Sequence, residues 1–387
     1  MKKNIIKRSI ATGLMCVMAL SPVAAFADTA ADVEKEVAEN VPSGQVINLS
    51  LEDAYKKLET SISMEMIKVQ NESDLAIAKG YSESYKDAKD NEDFLPDTSV
   101  IGITKAMRTF ANSVLEPNKT ARINALQRDT FEDYYNLKNL EEQVAIAKEN
   151  VAINEKLLSN TQLMYQVGKA SKLDLNNAES GLNTAKDNYR AALDGLNALK
   201  MAFNMTMDYP LMQNIKFTTE IEEVKLPETT LDKAIESALA NRLEIKKAAY
   251  DLQMAELNFN NYVAYPRTSS AYLKAKVGVL GAQMANNMSS KQIEMDVRMK
   301  YASMNTAYEK VQTSKKAVAD MEESAKIVKL QYEYGMTTIT TLQQANLGLT
   351  NSKIALANAL LEYNLAVKDF ELAQGVGVTA ATIASAQ

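Results

Sequence analysis

From Leu137 the apolar positions step by three and four residues, through Leu140, Val144, Ala147 and Val151 to Leu158, with Asn154 taking one place in the seam. Lys and Glu fill the positions between. This spacing keeps one stripe turned toward a partner helix and predicts a coiled-coil-like α-helix. The run that starts near Asp129 breaks at Gly168, and Ala170 to Asn204 then resumes the same period. A single Gly between two long amphipathic runs marks an antiparallel helical hairpin, because Gly adopts at no steric cost the left-handed conformation that ends a helix. At ~1.5 Å of rise per residue each arm is about 50 Å long, which makes a rod rather than a globule.

The same hairpin recurs. Laid over itself with an offset of 167, the chain matches without gaps from about Asp129 to Phe203 against Asp296 to Phe370. Tyr165 and Gly168 fall on Tyr332 and Gly335, and Leu175, Ala178, Gly181, Leu182 and Lys186 fall on Leu342, Ala345, Gly348, Leu349 and Lys353. Upstream, Leu51-Glu52-Asp53-Ala54 resembles Leu231-Asp232-Lys233-Ala234. These matches predict two copies of one unit, residues 47–207 and 229–375, joined by a connector over 208–228. Within the connector, Pro210 and Pro227 bound Asn214 to Thr219, a short extended segment expected to pack beside the helices. The fold class is therefore mainly α, with long antiparallel hairpins in two tandem repeats and at most short β segments.

Two readings compete farther up each unit. After Pro96 the chain offers Ile103, Met107, Phe110 and Val114, and after Pro266 it offers Leu273, Val277, Leu280 and Met284, both stepping as a helix seam. The strand alternative, with Leu273, Ala275, Val277 and Val279 alternating against Tyr272, Lys274, Lys276 and Gly278, exists only in the second unit.

Composition narrows the chemistry. With no His and no Trp, and with Cys16 as the only thiol, the chain lacks an imidazole base, a Ser-His or Cys-His pair and a His-ligated metal site. No catalytic, cofactor-binding or metal-ligating residues are assigned, and no enzyme activity is expected. Glu141-Glu142, Glu222-Glu223 and Glu322-Glu323 read as solvated faces, and Met201, Met205 and Met207 as packing filler. Only 13 Gly and 7 Pro in 387 residues point to few turns and hence long elements.

The first 27 residues follow the order of a secretory signal peptide, with Lys2, Lys3, Lys7 and Arg8 before an apolar stretch from Ile10 to Val23 and Ala25-Phe26-Ala27 before Asp28. Cleavage after Ala27 would remove those four cations and take the basic count from 43 to 39 against 49 acids, a net of −10. That balance argues against nucleic acid as a partner. Residues 28–46 read as a flexible lead-in and 376–387 as a flexible tail.

Tandem helical hairpins with Tyr-x-x-Gly turns, a central connector and an export signal resemble the TolC-like outer membrane efflux proteins. The resemblance covers about residues 47 to 375. It is carried by Tyr165-Gln166-Val167-Gly168-Lys169-Ala170 with Asp174 and Ala178 beyond, and by Tyr332-Glu333-Tyr334-Gly335-Met336-Thr337 leading to Leu342 and Ala345. Asn241-Arg242-Leu243-Glu244-Ile245 is similar to the Asn-Arg-Pro-Asp-Leu segment that opens a helix in the family, with Leu243 in place of Pro. Pro96 and Pro266 stand where the family's helices give way to membrane strands.

The resemblance implies a homotrimer in the cell envelope, with a shared outer-membrane barrel and a helical periplasmic tunnel that works with a periplasmic adaptor and an inner-membrane transporter. It carries adaptor docking onto Tyr165, Val167, Gly168, Lys169, Tyr332, Gly335 and Met336. Family members line the tunnel's constriction with acids shortly after the second turn. Counted from Gly335 those places hold Thr341 and Gln344, and Asp174 occupies the matching place in the first unit. The helical reading of the upper segments would leave this chain without spanning strands. The alternative function is an exported helical rod that scaffolds the envelope and conducts nothing.

Overall fold

The computed structural model of the chain describes residues 30, 33–34, 45–94 and 99–383. The export signal, with Cys16 and the cleavage position Ala27, lies outside the described residues, as does Pro96. The first part comprises β1 (Ile47–Leu49), α1 (Leu51–Leu58), α2 (Ile62–Asp90), α3 (Ser99–Gln166) and α4 (Lys172–Thr206). Next come β2 (Ile215–Phe217) in the connector, then α5 (Leu231–Asn241), α6 (Leu243–Asn260), α7 (Ser270–Glu333) and α8 (Ile339–Gln374). The order short helix, upper helix, long helix, returning helix thus occurs twice.

The long helices exceed the sequence expectation. α3 has 68 residues and α7 has 64, about 100 Å each at ~1.5 Å per residue. α3 continues back from Asp129 to Ser99 and passes through Pro117, whose missing N–H leaves one helix carbonyl without its backbone donor. Burial of Val114, Asn118 and Ala121 on either side of that proline opposes a break.

At the end remote from the Gly turns, here called the crown, α2 and α6 run alongside α3 and α7. Phe110 of α3 stacks on Tyr250 of α6 with ring centroids 4.1 Å apart. Ala78, Tyr81, Phe110, Ala111, Val114, Ala121 and Leu243 form one buried cluster. The helix reading of both upper segments is therefore the one the fold adopts, and the strand alternative over 272–279 gives way to α7. In the second segment, however, the seam finds no cover among the described residues: Leu273, Val277, Leu280 and Met284 are all exposed. No described helix is long and apolar enough to cross a membrane.

Midway along the rod, β1 and β2 pair in parallel with Ile47 opposite Ile215, Asn48 opposite Lys216 and Leu49 opposite Phe217. The extended segment expected in the connector is β2. Tyr134 of α3, fully buried, ties both strands to the helices. Its hydroxyl donates to the Leu49 carbonyl at 2.8 Å and accepts from the Thr219 N–H at 2.9 Å. The rest of the connector lies along the helices, where Asn364 Nδ2 donates to the Glu222 carbonyl at 2.8 Å and the Tyr363 hydroxyl to the Val224 carbonyl at 3.0 Å.

The segment after α8, read from composition as a flexible tail, is seated against the crown as far as residue 383. Asn118, buried completely, bonds the backbone of Ala381 twice, Nδ2 to its carbonyl and Oδ1 from its N–H, both at 2.8 Å. Such pairing satisfies a backbone that small side chains alone could not anchor. In the lead-in, Val33 is buried against α3 and α4, and Glu34 accepts hydrogen bonds from Lys148 and from the Tyr189 hydroxyl, both at 2.7 Å. The Lys148 bond, then the Tyr189 bond, hold the Glu34 carboxyl below its ordinary range.

Candidate functional site

Gly168 and Gly335 end α3 and α7 at the far end of the rod, with φ of 75° and 72°. Around Gly168, the Lys169 N–H bonds the Met164 carbonyl at 2.7 Å and the Gly168 N–H bonds the Tyr165 carbonyl at 3.0 Å. Around Gly335, the Met336 N–H bonds the Gln331 carbonyl at 2.8 Å and the Gly335 N–H bonds the Tyr332 carbonyl at 3.0 Å. Both are the six-to-one plus five-to-two pair of a Schellman termination, which requires the left-handed residue that Gly supplies. The two Tyr-x-x-Gly motifs thus fold into the same turn.

The residues after each turn cap the returning helix. Ser171 and Asp174 form a capping box: Asp174 Oδ2 accepts from the Ser171 N–H at 2.8 Å and from its hydroxyl at 2.7 Å, while Ser171 Oγ accepts from the Asp174 N–H at 3.1 Å. At the matching place, Thr338 Oγ1 accepts from the Thr341 N–H at 3.2 Å and lies 2.9 Å from the Thr341 hydroxyl. Asp174 and Thr341 are therefore engaged at helix N-termini, where a carboxylate or hydroxyl offsets unsatisfied backbone donors. Gln344 lies exposed one turn farther along α8.

Not every predicted docking residue is at the surface. Tyr165, Val167, Gly168, Lys169, Gly335 and Met336 are exposed, and Met336 shows 71% of its surface. Tyr332 is buried at 8% and its hydroxyl lies 3.2 Å from Thr161 Oγ1 of α3, so it joins the two hairpins instead. Its companions in that contact are Ile339 and Leu342, which pack with Leu157, Leu158 and Leu182 of the first hairpin. Sequence reasoning passed over Tyr334, 77% exposed, and Leu163 and Leu173, at 59% and 67%. Their signal was present: each is an apolar residue beside a Gly turn and off the buried stripe.

Just above the tip, α4 and α8 approach closely at Gly181. A Cβ there would sit 2.3 Å from Gln343 Nε2, so the missing side chain lets Gln343 reach across to the Asn177 carbonyl at 3.0 Å. The shallow groove around it, lined by Asn150, Asn154, Asn177, Thr184, Asn188 and Gln343 among others, contains no ionisable side chain. It offers amide and hydroxyl hydrogen bonds only. Among the described residues no group of three or more His, Cys, Asp and Glu side chains is placed to hold a metal ion.

No family model matches the chain, and no curated protein matches it in sequence. Solved structures do match in shape. CusC, described in terms of folding and transmembrane channel formation, aligns with a TM-score of 0.67 at 11% identity, over 84% of this chain and 92% of CusC. The outer membrane protein VceC from Vibrio cholerae gives 0.64 at 12% identity, over 85% and 97% of the two chains. The outer membrane channel CmeC from Campylobacter jejuni gives 0.64 at 11% identity, over 84% and 85%. Tandem hairpins ending in paired Gly turns, on a scaffold superimposable on these channels over most of its length, give this chain a TolC-like helical fold.

Proposed function

We propose that this chain is a non-enzymatic cell-envelope protein that assembles as a homotrimeric helical conduit and receives an adaptor and an export pump at its Gly-turn tips. The observation that carries this reading is the tip itself. Two turns of one geometry present Tyr165, Val167, Tyr334 and Met336 to solvent at the end of a rod with a channel-type fold. Exposed apolar side chains clustered at one end mark an interaction surface. The N-terminal pattern of basic, apolar and Ala-x-Ala segments supports export to the envelope. The neutral amides around Gln343, with Thr341 and Gln344 in place of acids, favour a passage that does not select cations.

Charge reversal at Lys169 combined with Gly335→Leu tests docking. Export of a transported compound should fall in the double variant while the helix content stays unchanged. Unchanged export refutes docking at these turns. A second reading, an envelope rod that conducts nothing, is favoured by the helices that stand in the crown. Cell fractionation followed by a carbonate wash separates a peripheral rod, which is released, from an integral barrel, which is retained.

A further inference from the structure

Near the top of the crown, α6 and α7 face each other across a cleft with a floor of small residues. Ala255 of α6 and Ala271, Ala275 and Gly278 of α7 line it, and a Cβ at Gly278 would meet nothing within 4 Å. Facing Ala and Gly residues let two helices close to about 8 Å. Here a volume of about 730 Å³ stays open, beside the contact of Phe259 on Tyr272, whose ring centroids lie 5.3 Å apart. Tyr262 stands at the hairpin end, its ring 5.6 Å from that of Tyr265. An open apolar cleft forfeits dispersion contacts that an apolar occupant restores. From Ala271 to Gly278 the floor runs about 10 Å at ~1.5 Å per residue, enough for a medium-length alkyl chain.

The rim selects the other end of the occupant. Lys274 is the charged side chain on the lining, with Asn258 and Ser270 as further hydrogen-bonding groups. Arg267 and Lys276 stand close to it in sequence, and among the described residues none of these three cations has an ion pair or hydrogen bond. No acid occurs between Glu256 and Glu294. Such a field, on a chain with more acids than bases, suits an anionic head group.

We propose that this cleft binds a single-chain anionic amphiphile, a carboxylate or phosphate head on Lys274 with its alkyl chain along the Ala and Gly floor. The site goes beyond the conduit reading and does not depend on it. A single molecule fits the charges better than a bilayer surface does. Ser99 Oγ donates to Asn261 Oδ1 at 2.9 Å, which sets the start of α3 beside this turn, and the acidic segment Glu92–Phe94 ends five residues before Ser99. A flat anionic bilayer on this end would meet those carboxylates as well as the cations, whereas one molecule in the cleft meets the cations alone.

The test uses the full chain, which has no Trp, so that Tyr262→Trp supplies the single indole and reports on the cleft. Decanoate, kept below its micellar concentration, should shift the emission and saturate at one molecule per chain. From hexanoate to decanoate, each added CH₂ should tighten binding by at most about fourfold. Lys274→Gln should weaken decanoate by about two- to fivefold and strengthen decyltrimethylammonium, because one charge acts on both heads. Gly278→Leu, whose side chain enters open space, should abolish the saturable shift and leave far-UV dichroism unchanged. Equal affinity for the two head groups, no gain with chain length, or a saturable shift that survives Gly278→Leu overturns the site. Sedimentation with phosphatidylglycerol vesicles by a chain that shows no saturable decanoate shift assigns this end to a bilayer surface and overturns it too.

Discussion

Replacing Gly168 or Gly335 by Ala isolates a backbone cost that can be worked out beforehand. At both positions a Cβ would meet nothing within 4 Å, so no steric clash contributes. What remains is φ of 75° and 72°, a region in which a Cβ crowds its own carbonyl at about 1–2 kcal/mol per residue. The added Cβ also restricts the unfolded chain, which returns about 0.4–1 kcal/mol. The expected net loss is roughly 1 kcal/mol for each turn, and the two turns lie on different hairpins. Gly195, within α4 and equally open, provides the control of opposite sign. Its helical backbone accepts a Cβ, so Gly195→Ala should stabilise by about 0.5–1 kcal/mol. Guanidinium unfolding followed by far-UV dichroism at one fixed protein concentration measures all three. Hydrogen exchange adds a local readout: the Lys169 and Met336 amides, bonded across the turns, should lose protection only in the turn variants. If Gly168→Ala and Gly195→Ala shifted stability in the same direction, the backbone argument for the turns would be refuted.

Asn118→Ala leaves the Ala381 N–H and carbonyl without partners in a buried site, so it should cost about 2 kcal/mol and speed proteolysis near Thr379; an unchanged cleavage rate would show that the tail is held some other way. Asp133 is shifted up to about 6 by burial, then by Glu132 and Asp129. Its folded state therefore binds the proton more tightly than the unfolded one, and stability is full below about pH 4, declines as pH rises toward 6 and is flat above. Asp133→Asn should accordingly gain about 2 kcal/mol at pH 7.5 and nothing at pH 4, measured by paired melts; equal gains at both pH values would contradict the assignment. Ser171→Ala should lower stability by about 1 kcal/mol, and Asp174→Ala should add little once Ser171 is gone, because both act through one capping box. Additive losses in thermal melts would separate the two residues.

Much of the architecture was legible because helical periodicity and Gly turns are local signals. The seam from Leu137 to Leu158 lies in α3, Gly168 and Gly335 carry the left-handed turns, and the helix spacing of Ile103 to Val114 is the one the crown adopts. The extended segment between Pro210 and Pro227 became β2, although its partner at Ile47–Leu49 was not foreseen, since parallel pairing over 168 positions leaves no short-range mark. The tip was read in part. Tyr165 and Tyr332 occupy equivalent places in the sequence, yet one is exposed and the other buried against Thr161, because the second hairpin leans on the first along only one side. Asp174 was weighed as a tunnel residue, and its bonds to Ser171 give the carboxylate a local capping task.

Sequence by itself determined what depends on neighbours a few residues apart: helix period, turn chemistry, caps and the absence of imidazole chemistry. Tertiary structure decided what depends on segments far apart in the chain. Asn118 meets Ala381 across 263 positions and makes an ordered clamp of a tail whose composition suggested none. Tyr134 bridges strands separated by 168 positions through one hydroxyl. Which face of a helix finds a partner is likewise a long-range outcome. The seam through Phe110 and Val114 is covered by α6 while the matching seam from Leu273 to Met284 faces solvent, because burial depends on what the rest of the chain brings alongside and periodicity specifies only the stripe.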